Sequence, residues 1–175
     1  MAIHIIIDGY NLIRQSDTLH MLDQQDIQVG RDALIDLLAA YKKIKPHKIT
    51  VVFDGANAPL FSNRNDSVKG IKITFSGPGE TADTVIKKIA SSKKERALIV
   101  TSDRDIIDFV SSQGASTIGS TEFEKKMIMA DYMMLKGLYD EDEGENGWMP
   151  TTKKKGPKRR LTKKERQNRI KVNKL

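Results

Sequence analysis

Cysteine is missing from all 175 residues. That excludes a disulfide framework, a thiolate nucleophile and any metal site built on sulfur. Histidine is nearly as scarce: His4, His20 and His47 are the three in the chain, far apart in sequence, so an imidazole pair for acid–base chemistry would have to be assembled by folding. No apolar run approaches the roughly 18 residues that suggest a membrane span. Strand-like residues follow Met1 at once, without the basic start of a secretory leader. The expectation is a cytoplasmic protein with no membrane partner.

Charge is plentiful and unevenly spread. Residues 151–175 hold 12 of the 30 Lys and Arg and one of the 23 acids, a net of +11. Residues 1–150 are left at −4. The overall +7 therefore belongs to the C-terminal arm, which suits a polyanionic partner. The length allows one domain with a sizeable core, placed at 1–139. An acidic linker at 140–150 and a basic tail at 151–175, disordered or a short helix, follow it.

Three apolar runs end in acids. Ile3-His-Ile-Ile-Ile7 runs into Asp8-Gly9, Ile49-Thr-Val-Val-Phe53 into Asp54-Gly55, and Ala97-Leu-Ile-Val-Thr101 into Ser102-Asp103-Arg104-Asp105. In a parallel α/β sheet the strand C-termini share one edge, where such folds bind ligands. Asp8, Asp54 and Asp103 would converge there, and Asp83 opens the helical segment before the third of these strands. Two carboxylates about 4 Å apart repel by roughly 4 kcal/mol at an effective dielectric near 20. Such a cluster either holds protons near neutral pH or takes up a cation. Oxygen donors without Cys or paired His suit Mg²⁺ or Mn²⁺ better than zinc. The same residues also serve as turn formers and helix caps, and Ser102-Asp-Arg-Asp105 reads as a capping box.

Between these runs, Ala33, Leu34, Leu37, Leu38, Tyr41 and Ile44 repeat at helical spacing, predicting a helix from about Arg31 to Lys45, stopped by Pro46. Residues 55–70 read as a surface loop; Arg64 within it is a candidate phosphate contact. Ile71–Phe75 alternates like an edge or half-exposed strand. Helices are expected from Glu80, with Asp83 one turn in, and over Ile106–Val110 up to Gly114. A short strand follows at Ala115–Ile118, then a Met-rich helix after Thr121 that reads as adaptable core packing. Five strands with crossovers imply a three-layer α/β/α sandwich with right-handed connections.

Asp8-Gly9-Tyr10-Asn11, Gly79-Glu80-Thr-Ala82-Asp83 and Thr101-Ser102-Asp103-Arg104-Asp105, in this order, resemble the NYN group of PIN-like ribonucleases, and more closely its bacterial YacP-like branch. Arg31-Asp-Ala-Leu34 and Phe53-Asp54-Gly55 extend the likeness across roughly residues 3–139. The resemblance implies a PIN-like fold with a mainly parallel five-stranded sheet of order 3-2-1-4-5. It also implies a Mg²⁺- or Mn²⁺-dependent ribonuclease, with Asp8, Asp83 and Asp103 as metal-binding carboxylates. Asn11 and Asp54 match polar positions at the border of that pocket, and Asp105 is a candidate fourth acid. Glu80 and Arg104 fall in the motifs without a definite role.

The implied partner is RNA (messenger, ribosomal or transfer), with the ribosome as a candidate anchor. Lys153, Lys154, Lys155, Lys158, Arg159 and Arg160 are the tail cations suited to phosphate contacts. The tail has no aromatic residue, so it should not read sequence by stacking on bases. Thr162-Lys-Lys-Glu165 would cap a short basic helix, formed on binding. The rival reading is a noncatalytic RNA-binding or ribosome-associated protein whose acidic pocket holds a structural ion. A Rossmann-type nucleotide binder would need the Gly-x-Gly-x-x-Gly string that is missing after the first strand.

Overall fold

The computed structural model describes residues 3–58, 63–139 and 162–175. Six strands form one sheet: β1 (His4–Asp8), β2 (Lys48–Phe53), β3 (Asn65–Val68), β4 (Ile71–Phe75), β5 (Ala97–Val100) and β6 (Ser116–Ile118). Their order is β3-β4-β2-β1-β5-β6. All neighbours are parallel except β3 and β4. The five expected strands thus stand in the expected order.

The sixth strand, β3, lies in the stretch read as a loop. Its four residues are all exposed and carry no apolar alternation. It is held by antiparallel pairing with β4 through a two-residue turn in which Lys69 and Gly70 both have positive φ (52° and 78°), the backbone that tight hairpins favour.

Helices cover both faces. α1 (Gly9–Gln15), α2 (Asp17–Gln25), α3 (Ile27–Ile44) and α6 (Ser120–Tyr139) lie on one side, α4 (Ala82–Lys93) and α5 (Arg104–Ser112) on the other. The pleat sorts the apolar strands between them. Ile5, Ile7, Val51, Phe53, Leu98 and Val100 pack with Leu12, Leu34, Leu38 and Phe123, whereas Ile6, Val52 and Ile99 pack with Val85, Ile86, Ile106 and Val110. Coverage on both sides explains why these strands read as unbroken apolar runs.

Two helical expectations are corrected. The helix expected from about Arg31 begins at Ile27 and follows two others, because Asp8, Ser16 and Asp26 cap α1, α2 and α3 in succession. Of the methionines on α6, Met127 is buried, whereas Met129, Met133 and Met134 are exposed, since the helix outruns the core it packs on.

The short helix expected after Thr162 is present. α7 (Lys163–Val172) starts with a reciprocal capping box between Thr162 and Glu165. It docks on the end strand: the Thr117 N–H donates to Asn168 Oδ1 at 2.9 Å. Beyond it, Leu175 is buried, and its carbonyl oxygen accepts from the Tyr41 hydroxyl at 3.1 Å.

Gly55, after β2, allows a close backbone approach. A Cβ there would overlap the Ser76 carbonyl oxygen, while the Gly55 N–H donates to Ser76 Oγ at 2.8 Å and the Ser76 N–H to Phe53 O at 3.0 Å. With backbone rather than a flexible side chain in the way, Gly55→Ala is expected to cost about 2 kcal/mol. Urea unfolding checks this; an unchanged midpoint would contradict it.

Candidate active site

The strand order brings the ends of β1 and β5 side by side, and the start of α4 above them. Asp8 is buried (8% exposed). Its Oδ1 accepts from the Asn11 N–H at 3.2 Å, capping α1, and its Oδ2 accepts from the Thr101 hydroxyl at 3.2 Å. Thr101 Oγ1 in turn accepts from the Asp103 N–H at 3.2 Å. Asp103 Oδ1 caps α5, accepting from the Asp105 N–H at 2.8 Å and the Ile106 N–H at 3.4 Å. Both aspartates therefore cap a helix while standing at the same strand edge.

Asn11 ties three elements together. Its Oδ1 accepts from the Ser102 N–H at 2.9 Å and from the Ser120 hydroxyl at 2.7 Å, and the Ser120 N–H donates to Ser102 Oγ at 3.2 Å. Thr101 and Ser120 are the structural partners that sequence reasoning did not single out. Thr101 stands in the quoted Thr-Ser-Asp string, whereas nothing local marks Ser120.

Burial pushes the Asp8 carboxyl up to about 6, with the charges of Asp83 and Asp103 adding to the rise against the hydrogen bonds from Asn11 and Thr101. Asp83 is also raised, first by burial and then by Asp103, while Lys87 opposes the rise. The three carboxylates therefore lie within one another's electrostatic range. All their donors are oxygen, which suits a hard cation. Among the described residues, however, no group of three or more His, Asp or Glu is placed to hold a metal ion between them. The donor set fits the open mode that Mg²⁺ favours, one or two carboxylates with waters retained, rather than a closed cage.

The remaining expected residues are less central. Asp54 lies on the other side of β1 from Asp103. It caps the short turn Gly55–Asn57 through Ala56 N–H at 3.0 Å, and its charge is felt at Tyr10. Asp105 is largely exposed and ion-paired with Lys87. Arg64 pairs with Glu80 and donates from Nε to the Phe75 carbonyl oxygen at 3.3 Å. Glu80 also meets Lys88 at 2.6 Å and the Gly77 N–H at 3.2 Å, so Arg64 and Glu80 brace the β4–α4 connection. Lys153, Lys154, Lys155, Lys158, Arg159 and Arg160 lie outside the described residues. His4 bonds Thr50 Oγ1 at 2.8 Å at the start of β1, opposite the acids. Burial and nearby lysines push its pKa down to about 4.

A mainly parallel sheet with an acidic crevice at its strand ends is the architecture of a PIN-like nuclease fold. The family described as YacP-like NYN domain matches residues 5–172, and the chain belongs to it. "Uncharacterized protein YacP" of Bacillus subtilis (strain 168) is 30% identical over 88 residues, half of this chain and 51% of that protein. The sequence match thus spans about half the length of that relative. The crystal structure of Rae1 (YacP) from Bacillus subtilis superposes with a TM-score of 0.66 at 26% identity, covering 79% of this chain and 80% of that one. A mutant of the same protein gives 0.66 at 23% identity over 80% and 86%, which speaks for the fold. Among the described residues no helix is long and apolar enough to cross a membrane.

Proposed function

We propose that this chain is a metal-dependent endoribonuclease that hydrolyses RNA phosphodiester bonds without a covalent enzyme intermediate, acting in the cytoplasm. The observation that carries the reading is the linkage of Asp8 and Asp103 through Thr101 at the ends of the adjacent parallel strands β1 and β5, in a chain of the YacP-like NYN family, with the charge of Asp83 reaching Asp8. Bound Mg²⁺ or Mn²⁺ supplies a more acidic water and stabilises charge on the phosphoryl oxygens.

The chain's own residues set the stage for that chemistry. Asp8, Asp83 and Asp103 would hold the ion, one or two of them directly and the rest through retained waters. Thr101 and the Asn11 N–H fix the Asp8 carboxylate, and Asn11 holds the Ser102 loop and Ser120 in register, acting as a positioning residue. Asp54 and Asp105 border the crevice. RNA is drawn to the basic tail, including Lys153, Lys154, Lys155, Lys158, Arg159 and Arg160, with Arg64 as a peripheral contact. Its targets are messenger, ribosomal or transfer RNA, with the ribosome as a candidate anchor.

The test is the purified full chain with labelled RNA in Mg²⁺, in Mn²⁺ and in EDTA. Internal cleavage is expected only with metal. Attack by water rather than the 2′-hydroxyl leaves products free of 2′,3′-cyclic phosphate. Tight RNA binding with no cleavage under any condition would favour the noncatalytic reading; cleavage unaffected by EDTA would overturn the metal dependence.

A further inference from the structure

A carboxylate crevice repels the polyanion it has to admit, so a site of this kind needs a cation beside the acids. Lys87 is placed for it. It sits one turn after Asp83 on α4, on the same helix face, and its charge opposes those of Asp103 and Asp105 at Asp83. Asp103, which caps the neighbouring α5, and Asp105 in its first turn act on Lys87.

Its side chain is only a quarter exposed, with Nζ 5.6 Å from the centre of the Phe109 ring, so packing aims the ammonium at the space between α4 and α5. The neighbouring Lys88 is turned away, to Glu80. The bond that occupies Lys87 is an ion pair with Asp105, whose side chain is 77% exposed. A pair whose acid is so exposed adds little to stability, so packing on Phe109, more than the ion pair, sets where the half-buried Lys87 side chain points. Asp105 can turn out into water and release the ammonium.

We propose that Lys87 is a substrate-binding residue. It takes a backbone phosphate of the RNA beside the scissile bond, and Asp105 is a resident stand-in that the phosphate displaces. The proposal rests on the ribonuclease reading for its substrate, but its test does not use cleavage. A short single-stranded oligoribonucleotide is titrated by fluorescence anisotropy into the full chain carrying Asp8→Asn, in Mg²⁺, over a range of salt concentrations. Lys87→Met, which keeps the stem against Phe109, is expected to weaken binding several-fold and make the salt dependence shallower by about 0.7 in log–log slope, the loss of one phosphate contact on a single strand. Lys87→Arg should retain binding. Asp105→Asn should tighten it or leave it unchanged, because the ammonium is freed.

Unchanged binding in Lys87→Met would overturn the proposal. So would Asp105→Asn weakening binding as much as Lys87→Met, since the pair would then act only as a structural clip. Failure of the wild-type chain to cleave RNA would defeat the ribonuclease reading while leaving this binding comparison intact.

Discussion

Asp8→Asn is expected to lower metal-dependent RNA cleavage by at least about a hundredfold, the scale of removing one electrostatic contributor from a preorganised site, and to make the metal-free protein more stable at neutral pH. The second effect follows from burial. The folded-state pKa of Asp8 is raised to about 6 from 3.8, so the folded chain holds that proton more tightly than the unfolded chain. The stability this contributes is complete below about pH 4 and is lost as pH rises through 6. Above pH 7 the ionised carboxylate costs the fold up to about 3 kcal/mol, because a tenfold difference in proton affinity between folded and unfolded chain is worth about 1.4 kcal/mol. Asn has nearly the same shape, keeps an oxygen for the Asn11 N–H, and carries no charge. In EDTA the difference between variant and wild type should therefore be near zero at pH 4 and largest at pH 7.5, as read by urea unfolding. Added Mg²⁺ should stabilise the wild type by mass action and leave the variant unmoved. If the variant still cleaves, or is less stable than wild type at both pH values, Asp8 is a cap for α1 and nothing more.

That Asp8 caps α1 at the same strand edge where its proposed role lies explains how much of the candidate site was legible. Asp8 and Asp103 close their strands, cap the next helix and meet across two adjacent strands, all from one local pattern of apolar run, acid and helix. The parallel order that makes them neighbours follows from crossover connections, so the central sheet and the convergence could be inferred together. Asp54 shows the limit of that inference. Its local pattern matches that of Asp8, yet β2 lies on the far side of β1 and its charge falls on Tyr10 rather than on Asp8. Ser120 and Lys87 were silent for a different reason. Each gains its meaning from a partner far away in sequence, Asn11 across 109 positions and Asp105 on another helix. The exposed strand β3 left no periodic trace because neither of its faces is buried; a turn and one paired neighbour hold it. Arg64 reads as a candidate phosphate contact because its partner Glu80, sixteen residues on, leaves no local mark in the sequence.

The basic C-terminal arm is where composition and structure pull furthest apart, and removal of residues 162–175 tests the difference. Composition alone makes this segment an RNA tether whose loss would change affinity and nothing else. In the structure, α7 also closes the open edge of the sheet, where Asn168 satisfies the Thr117 N–H of β6. Unpaired edge groups invite pairing with other chains. Leu175 is buried against the core that contains Leu38 and Phe123, and its carbonyl oxygen satisfies the Tyr41 hydroxyl. Burial of one leucine is worth about 2 kcal/mol and the edge hydrogen bond about 1 kcal/mol. Truncation should thus destabilise the fold by about 3 kcal/mol and promote aggregation through β6. Point variants separate the two roles. Leu175→Ala should account for about 2 kcal/mol of the loss and leave RNA affinity alone. Replacing the exposed Lys163, Lys164, Arg166 and Arg169 together by Gln should change stability by no more than about 0.5 kcal/mol per site while weakening RNA binding and flattening its salt dependence. A truncated chain that unfolds at the same urea concentration as the full one would show that α7 contributes only charge.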